Sequence, residues 1–191
     1  MKTATAVAIC TISKSPLIGP SLGEDSIRAG IIATLVATVA IVVFMIVCYG
    51  ILGFFADVAM MANNFLMIGI LTAAGATLTL PGIAGIVLTM GMAVDANVLI
   101  YERMREEAHA GRSTIVAFDQ GFRRAFATII DSHLTALIAA IALFWLGAGP
   151  IRGFAVTLAI GIICTLFTSY LVTRLIVSYW IRTARPKTVP L

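Results

Sequence analysis

Charged residues along this 191-residue chain are few and widely spaced, and the apolar runs between them have lengths that predict helices. Arg28 and Asp57 enclose 28 uncharged residues, which predict a first membrane span over about Ala29 to Tyr49. Asp57 and Asp95 enclose 37 more. A single helix of that length would reach roughly 55 Å at 1.5 Å per residue, too long for a hydrocarbon core of about 30 Å. Pro81-Gly82 is the natural break. It divides the run into a second span, about Val58 to Leu80, and a third, from Gly82 to about Arg103. The third span cannot cross without carrying Asp95 into the membrane. Asp131 to Arg152 and Arg152 to Arg174 enclose 20 and 21 uncharged residues. They predict spans over Ala125 to Leu146 and Gly153 to Leu175, joined by the turn Gly147-Ala-Gly-Pro150. The expectation is an all-α polytopic bundle of five transmembrane helices.

Composition agrees. Sixty per cent of the residues are hydrophobic and 12% charged, about half the charged fraction of a soluble domain. An ordinary soluble enzyme, a disordered chain and a disulfide-stapled secreted module are excluded. The net charge of +4 reflects basic loops on one side of a membrane rather than an affinity for nucleic acid. Nine of the thirteen Lys and Arg (Arg103, Arg105, Arg112, Arg123, Arg124, Arg174, Arg182, Arg185 and Lys187) fall on one side of a five-span chain. Lys2, Lys14, Arg28 and Arg152 fall on the other. The positive-inside bias puts the nine in the cytoplasm and the N-terminus outside. The domain reading is an outward N-terminal segment over 1–27, a membrane bundle over 28–181 and a cytoplasmic tail over 182–191. Lys2 and the apolar run Ala6 to Ile12 carry no clear cleavage site, so the start reads as a short extended segment.

Five residues are candidates for chemistry. A carboxylate in mid-membrane costs several kcal/mol and marks an ion or proton path by default, which singles out Asp95. Asn97 adds a second polar group beside it. Asp131 lies seven residues after Arg124, while Asp95 lies eight before Arg103. Both acids are then roughly 10–12 Å in from the same charges, at similar depth on antiparallel helices. Paired acids at low dielectric raise at least one pKa towards neutrality, as a proton relay needs. Thr135 shares the Asp131 face. His133 reads either as a relay or, more simply, as a packed and hydrogen-bonded histidine. Over 104–124, Phe118, Phe122 and Phe126 recur every four residues. They form one face of an amphipathic connector lying along the inner membrane surface. Cys10, Cys48 and Cys164 are far apart and form no metal or disulfide motif, and no cofactor is implied.

Three segments carry a specific resemblance: Gly19-Pro-Ser-Leu-Gly-Glu-Asp-Ser-Ile27, Leu80-Pro-Gly-Ile-Ala-Gly-Ile-Val-Leu-Thr-Met-Gly-Met-Ala-Val-Asp-Ala-Asn-Val-Leu-Ile100 with Tyr-Glu-Arg103, and Gly147-Ala-Gly-Pro-Ile-Arg-Gly-Phe-Ala-Val-Thr-Leu158. The chain resembles the SecD/SecF family of protein-export membrane subunits, of the RND superfamily, from about Ile18 to Ile181. The resemblance implies an RND-type half comprising the family's helices two to six. It also implies a role in protein export driven by the proton-motive force across the bacterial inner membrane. The implied partners are a SecF-type half, the SecYEG channel, a YajC-like accessory subunit, unfolded secretory proteins and the lipid bilayer. Asp95 falls on the family's intramembrane aspartate, and Asp131 on the aspartate of its Asp-Ala-Asn-hydrophobic-Thr-Thr motif. That motif reads Asp131-Ser-His-Leu-Thr-Ala136 here, with His133 in place of Asn and Ala136 in place of the second Thr. Residues 1–18 are too few for the family's first helix and periplasmic domain, so the expectation is a fragment, a split gene or a reduced form. Two other readings stand beside export: an RND-type exporter of small molecules or lipids, and a truncated scaffold that moves no protons.

Overall fold

The structure is a computed structural model describing residues 20–76 and 79–184. Among the described residues there is no strand. The elements are α1 (Pro20–Ala73), α2 (Leu80–His109), α3 (Thr114–Leu146), α4 (Pro150–Phe167), a π-helical segment (Thr168–Thr173) and α5 (Arg174–Ala184). Four helical runs, Asp25–Ala73, Leu80–His109, Thr114–Leu146 and Pro150–Thr183, are long and apolar enough to cross a membrane.

The first break falls directly after Tyr49, where the expected first span ends, and the second a little before the expected one. The first two expected spans form one helical run, interrupted at Gly50, whose φ of 53° and ψ of −121° are not helical. A Cβ added at Gly53 would lie 2.5 Å from the carbonyl carbon of Met45 and closer still to its oxygen. Residues eight apart in a straight helix are separated by about 12 Å, so the chain doubles back sharply at Gly50. Asp57, which the charge pattern treats as a boundary, sits inside the returning helix and is buried. Helix α1 ends at Ala73 and α2 begins at Leu80, so the second break falls just before the expected Pro81-Gly82. Thr79 caps α2 by accepting from the Gly82 N–H at 3.2 Å, and Pro81 occupies the first turn, where its missing donor costs nothing.

Segment 104–124 is not a separate helix. It is the end of α2, a turn at 110–113 with Gly111 at φ 81°, and the start of α3, which runs unbroken to Leu146. The four-residue phenylalanine period has a different cause from the one expected. Phe118 and Phe122 are buried, and Phe122 and Phe126 stack on Tyr170 of the π segment, with ring centroids 5.9 and 4.4 Å apart. An apolar stripe that packs on a neighbouring helix has the same period as one that lies on a membrane. The expected tail lies outside the described residues beyond 184, and the expected N-terminal segment lies outside them up to 19.

Helix α2 is central. It packs against α1, α3, α4 and the π segment. Its small residues let other backbones approach, as membrane helices require: Gly85 faces Thr157 and Phe154, and Thr89 fills the space over Gly161. The main core gathers Met45, Leu52, Met60, Ile100, Tyr101, Met104, Phe122, Ile129 and Val177. At the far turn Arg152 donates Nε–H to the Gly147 carbonyl at 2.9 Å, closing the end of α3.

Candidate functional site

Helical geometry separates the polar residues of α2. Asp95 and Asn97 are two residues apart, which turns them about 200° from one another. Asn97 is buried, and its Oδ1 accepts a hydrogen bond from Thr173 Oγ1 at 2.9 Å. The bond ties α2 to the end of the π segment. Asp95 faces the opposite way, in an exposed stripe with Leu80, Ala84, Leu88 and Gly91.

Helix α3 supplies the other candidates. His133 is buried (4% exposed) and within electrostatic reach of Asp95. Its Nδ1 lies 3.4 Å from Ser132 Oγ, and its Nε2 has no hydrogen-bond partner. Asp131, Thr128 and Thr135 are exposed. The Thr135 hydroxyl donates to the main-chain carbonyl of Asp131 at 3.0 Å, and that of Thr128 to the carbonyl of Arg124 at 3.4 Å. Both hydroxyls thus serve their own helix and leave the Asp131 carboxylate alone. Neither Asp95 nor Asp131 has a hydrogen bond or ion pair among the described residues. Asp95 and His133 are brought together, and Asp131 and Thr135 share an open face. Asn97 belongs to the interior. The two acids expected inside one bundle are on the outside of this chain.

The sequence reading missed several polar residues. Asn63 is buried in α1, accepts from Thr168 Oγ1 at 3.1 Å and donates to Thr165 Oγ1 at 3.5 Å. Together with Thr173 and Asn97 this makes a buried polar seam along the π segment, a feature common at functional places in helices. Asp57 and Tyr101 are buried with unpartnered oxygens. In the sequence Asp57 is only the limit of an apolar run, and nothing there marks it as buried. At the charged end, buried Glu107 receives Arg112 at 2.9 Å as well as Arg124. Tyr49 donates to Glu102 at 3.1 Å.

Comparison with known proteins places these residues in a family. The sequence profile described as "Protein export membrane protein SecD/SecF, C-terminal" matches residues 2–183. The protein translocase subunit SecD of Acetobacter pasteurianus is 53% identical over 173 residues, 91% of this chain and 33% of that protein. The protein translocase subunit SecDF of Brucella abortus is 48% identical over 180 residues, 94% of this chain and 24% of that one. Among solved structures, SecDF of Thermus thermophilus, described as translocon-associated, superposes with a TM-score of 0.85 at 43% identity. It covers 89% of this chain and 24% of its own. The chain therefore spans about a third of the length of the SecD relatives it matches.

Proposed function

The chain belongs to the family of protein export membrane proteins SecD/SecF, and on that footing we propose that it is the membrane-embedded half of a Sec export component. In this reading it uses the proton-motive force to help draw secreted proteins across the bacterial inner membrane. Protons pass by way of Asp95, with His133 behind it and Asp131 and Thr135 on the neighbouring helix. Asn97, held by Thr173, sets the rotation of α2.

One observation carries the reading. Asp95 and Asp131 are exposed among side chains of lipid-facing type, with Leu88, Ile130, Leu134 and Ile138 around the same faces. A bare carboxylate costs several kcal/mol in hydrocarbon. The face is therefore covered by protein or lines water in the assembled state. A SecF-type half, related to this one by pseudo-symmetry as in transporters built from repeats, is the cover we propose. The SecYEG channel, a YajC-like subunit and unfolded secretory chains are the further partners.

The reversal at Gly50 supports counting α1 as two crossings and the bundle as five. A straight α1 of 54 residues would be about 80 Å long. With five crossings the basic ends of α2, α3 and α5 lie in the cytoplasm and the N-terminus in the periplasm. The outward segment 1–27, the membrane part 28–181, the charged connector 104–124 and the tail 182–191 follow from that orientation.

The test is precursor processing in cells whose export component contains this chain joined to the remainder of a SecD-type protein. Asp95→Asn at matched membrane levels is expected to stop export while the SecF-type partner still co-purifies. Unchanged export would replace the motor reading with that of a scaffold.

A further inference from the structure

Asp57 is a carboxyl group in a membrane helix with nothing bonded to it. It is 7% exposed, and neither of its oxygens has a hydrogen-bond partner. Tyr101 on α2 is fully buried, its hydroxyl is likewise unpartnered, and it lies within electrostatic reach of Asp57. One group is a strong acceptor and the other a donor. A buried, unpaired carboxylate is among the costliest groups a protein can hold and avoids that cost by taking up a proton. A neutral carboxyl beside a phenol can both give and receive a hydrogen bond.

The depth of the pair follows from the helices. The Tyr49–Glu102 bond sets Gly50 level with the charged end of α2. Asp57 is seven residues beyond Gly50, and Asp95 seven residues before Glu102, so each is roughly 10 Å in. Tyr101 leans back towards the start of its helix, as long helical side chains do, and so towards that level. Asp57 and Asp95 are thus at one depth on different sides of α2. Asp95 is on the open face and Asp57 is inside.

A line of ionisable groups leads from Asp57 to the charged end. The Tyr101 and Tyr49 rings are 5.8 Å apart. The Tyr49 hydroxyl rests on Glu102, which is partly exposed and 3.7 Å from Arg105. From the other elements, α3 turns Phe122, Ala125 and Ile129 into this core, while His133 sits towards Asp95. Helix α5 turns Val177 and Ile181 inwards and keeps Arg174 and Arg182 in an outer groove with Asp119.

We propose that Asp57 is a second protonatable carboxyl of this bundle, held neutral in the interior beside Tyr101. Its use in transport rests on the function proposed above, whereas the protonation does not.

Infrared spectroscopy of the whole export component in membranes tests it through the C=O stretch of protonated carboxyl groups. At neutral pH a band is expected that disappears in Asp57→Asn, persists in Asp95→Asn and shifts in frequency in Tyr101→Phe. A folded Asp57→Asn that keeps the full band overturns the proposal, as does a wild type without one. If Asp57→Asn does not assemble, Asp57→Glu and Tyr101→Phe decide, and a band unmoved in both also overturns it. Silent export in Asp95→Asn would end the transport reading and leave this band in place, so the two failures are distinguishable.

Discussion

Replacing Gly53 by alanine tests the reversal of α1, on which the count of crossings depends. The added methyl group would meet main chain: Met45's carbonyl oxygen, its carbonyl carbon at 2.5 Å and the Ile46 nitrogen at 3.1 Å. Ordinary van der Waals contacts between such atoms are about 3.5 Å, so the two arms must part by roughly an ångström. Backbone cannot rotate aside as a side chain can, and Met45 is itself fully buried in the main core. Overpacking of this kind costs about 1–3 kcal/mol. Alanine's better helix propensity returns about 0.5–1 kcal/mol, leaving a net loss of up to about 2.5 kcal/mol. Gly69 is the matched control, because it lies in the same helix with nothing within 4 Å of an added Cβ. The assay is thermal unfolding of the purified component in detergent. Gly53→Ala is expected to melt well below wild type, and Gly69→Ala at or above it. Equal melting of the two variants would refute the reversal.

Other consequences are as specific. Thr173→Val leaves the buried Asn97 carbonyl oxygen without its donor and should cost about 1–3 kcal/mol; Thr173→Ser, which keeps the hydroxyl, should restore most of it in the same melting assay. Glu107 is shared by Arg112 and Arg124, and it is buried while both arginines are partly exposed. Arg112→Ala or Arg124→Ala leaves that buried carboxylate with one partner instead of two, whereas Glu107→Ala only returns the arginines to water; either arginine variant should therefore lower the melting temperature more than Glu107→Ala.

The sequence made the helical class and the location of Asp95 readable, since a charge that interrupts an apolar run is conspicuous. It located the breaks to within several residues and left their causes unread, for a physical reason. Run length ends the first span near Tyr49, and Pro81-Gly82 marks the second break as a turn signal. The chain turns at Gly50, where only backbone conformation matters, and caps α2 at Thr79, where one hydroxyl decides. The phenylalanine face of α3 had the right period and the wrong partner, Tyr170 instead of the membrane surface. Asn63, Thr165, Thr168 and Thr173 were not readable at all. Each is an ordinary polar residue in an apolar helix, and only the packing of α1 and α2 on the π segment makes a seam of them.

That seam bears on how a charge on the open face of α2 can be felt elsewhere. Asp95 and Asn97 are fixed to one rigid helix and point in nearly opposite directions. Rotating α2 enough to move Asp95 along its face swings Asn97 against Thr173, whose buried bond must then break or be remade with a neighbour. The π segment is where the backbone can yield, because its wider turn is an irregularity between two regular helices. Tyr101 is on the same helix, so the rotation also moves its hydroxyl relative to Asp57. Neutralising Asp95 while holding the Asn97–Thr173 bond should therefore leave the surroundings of Asp57 unchanged, whereas Thr173→Val should disturb them with Asp95 intact. The infrared band assigned to Asp57 reads both cases. If it moves in Asp95→Asn and stays fixed in Thr173→Val, coupling through the rotation of α2 is wrong.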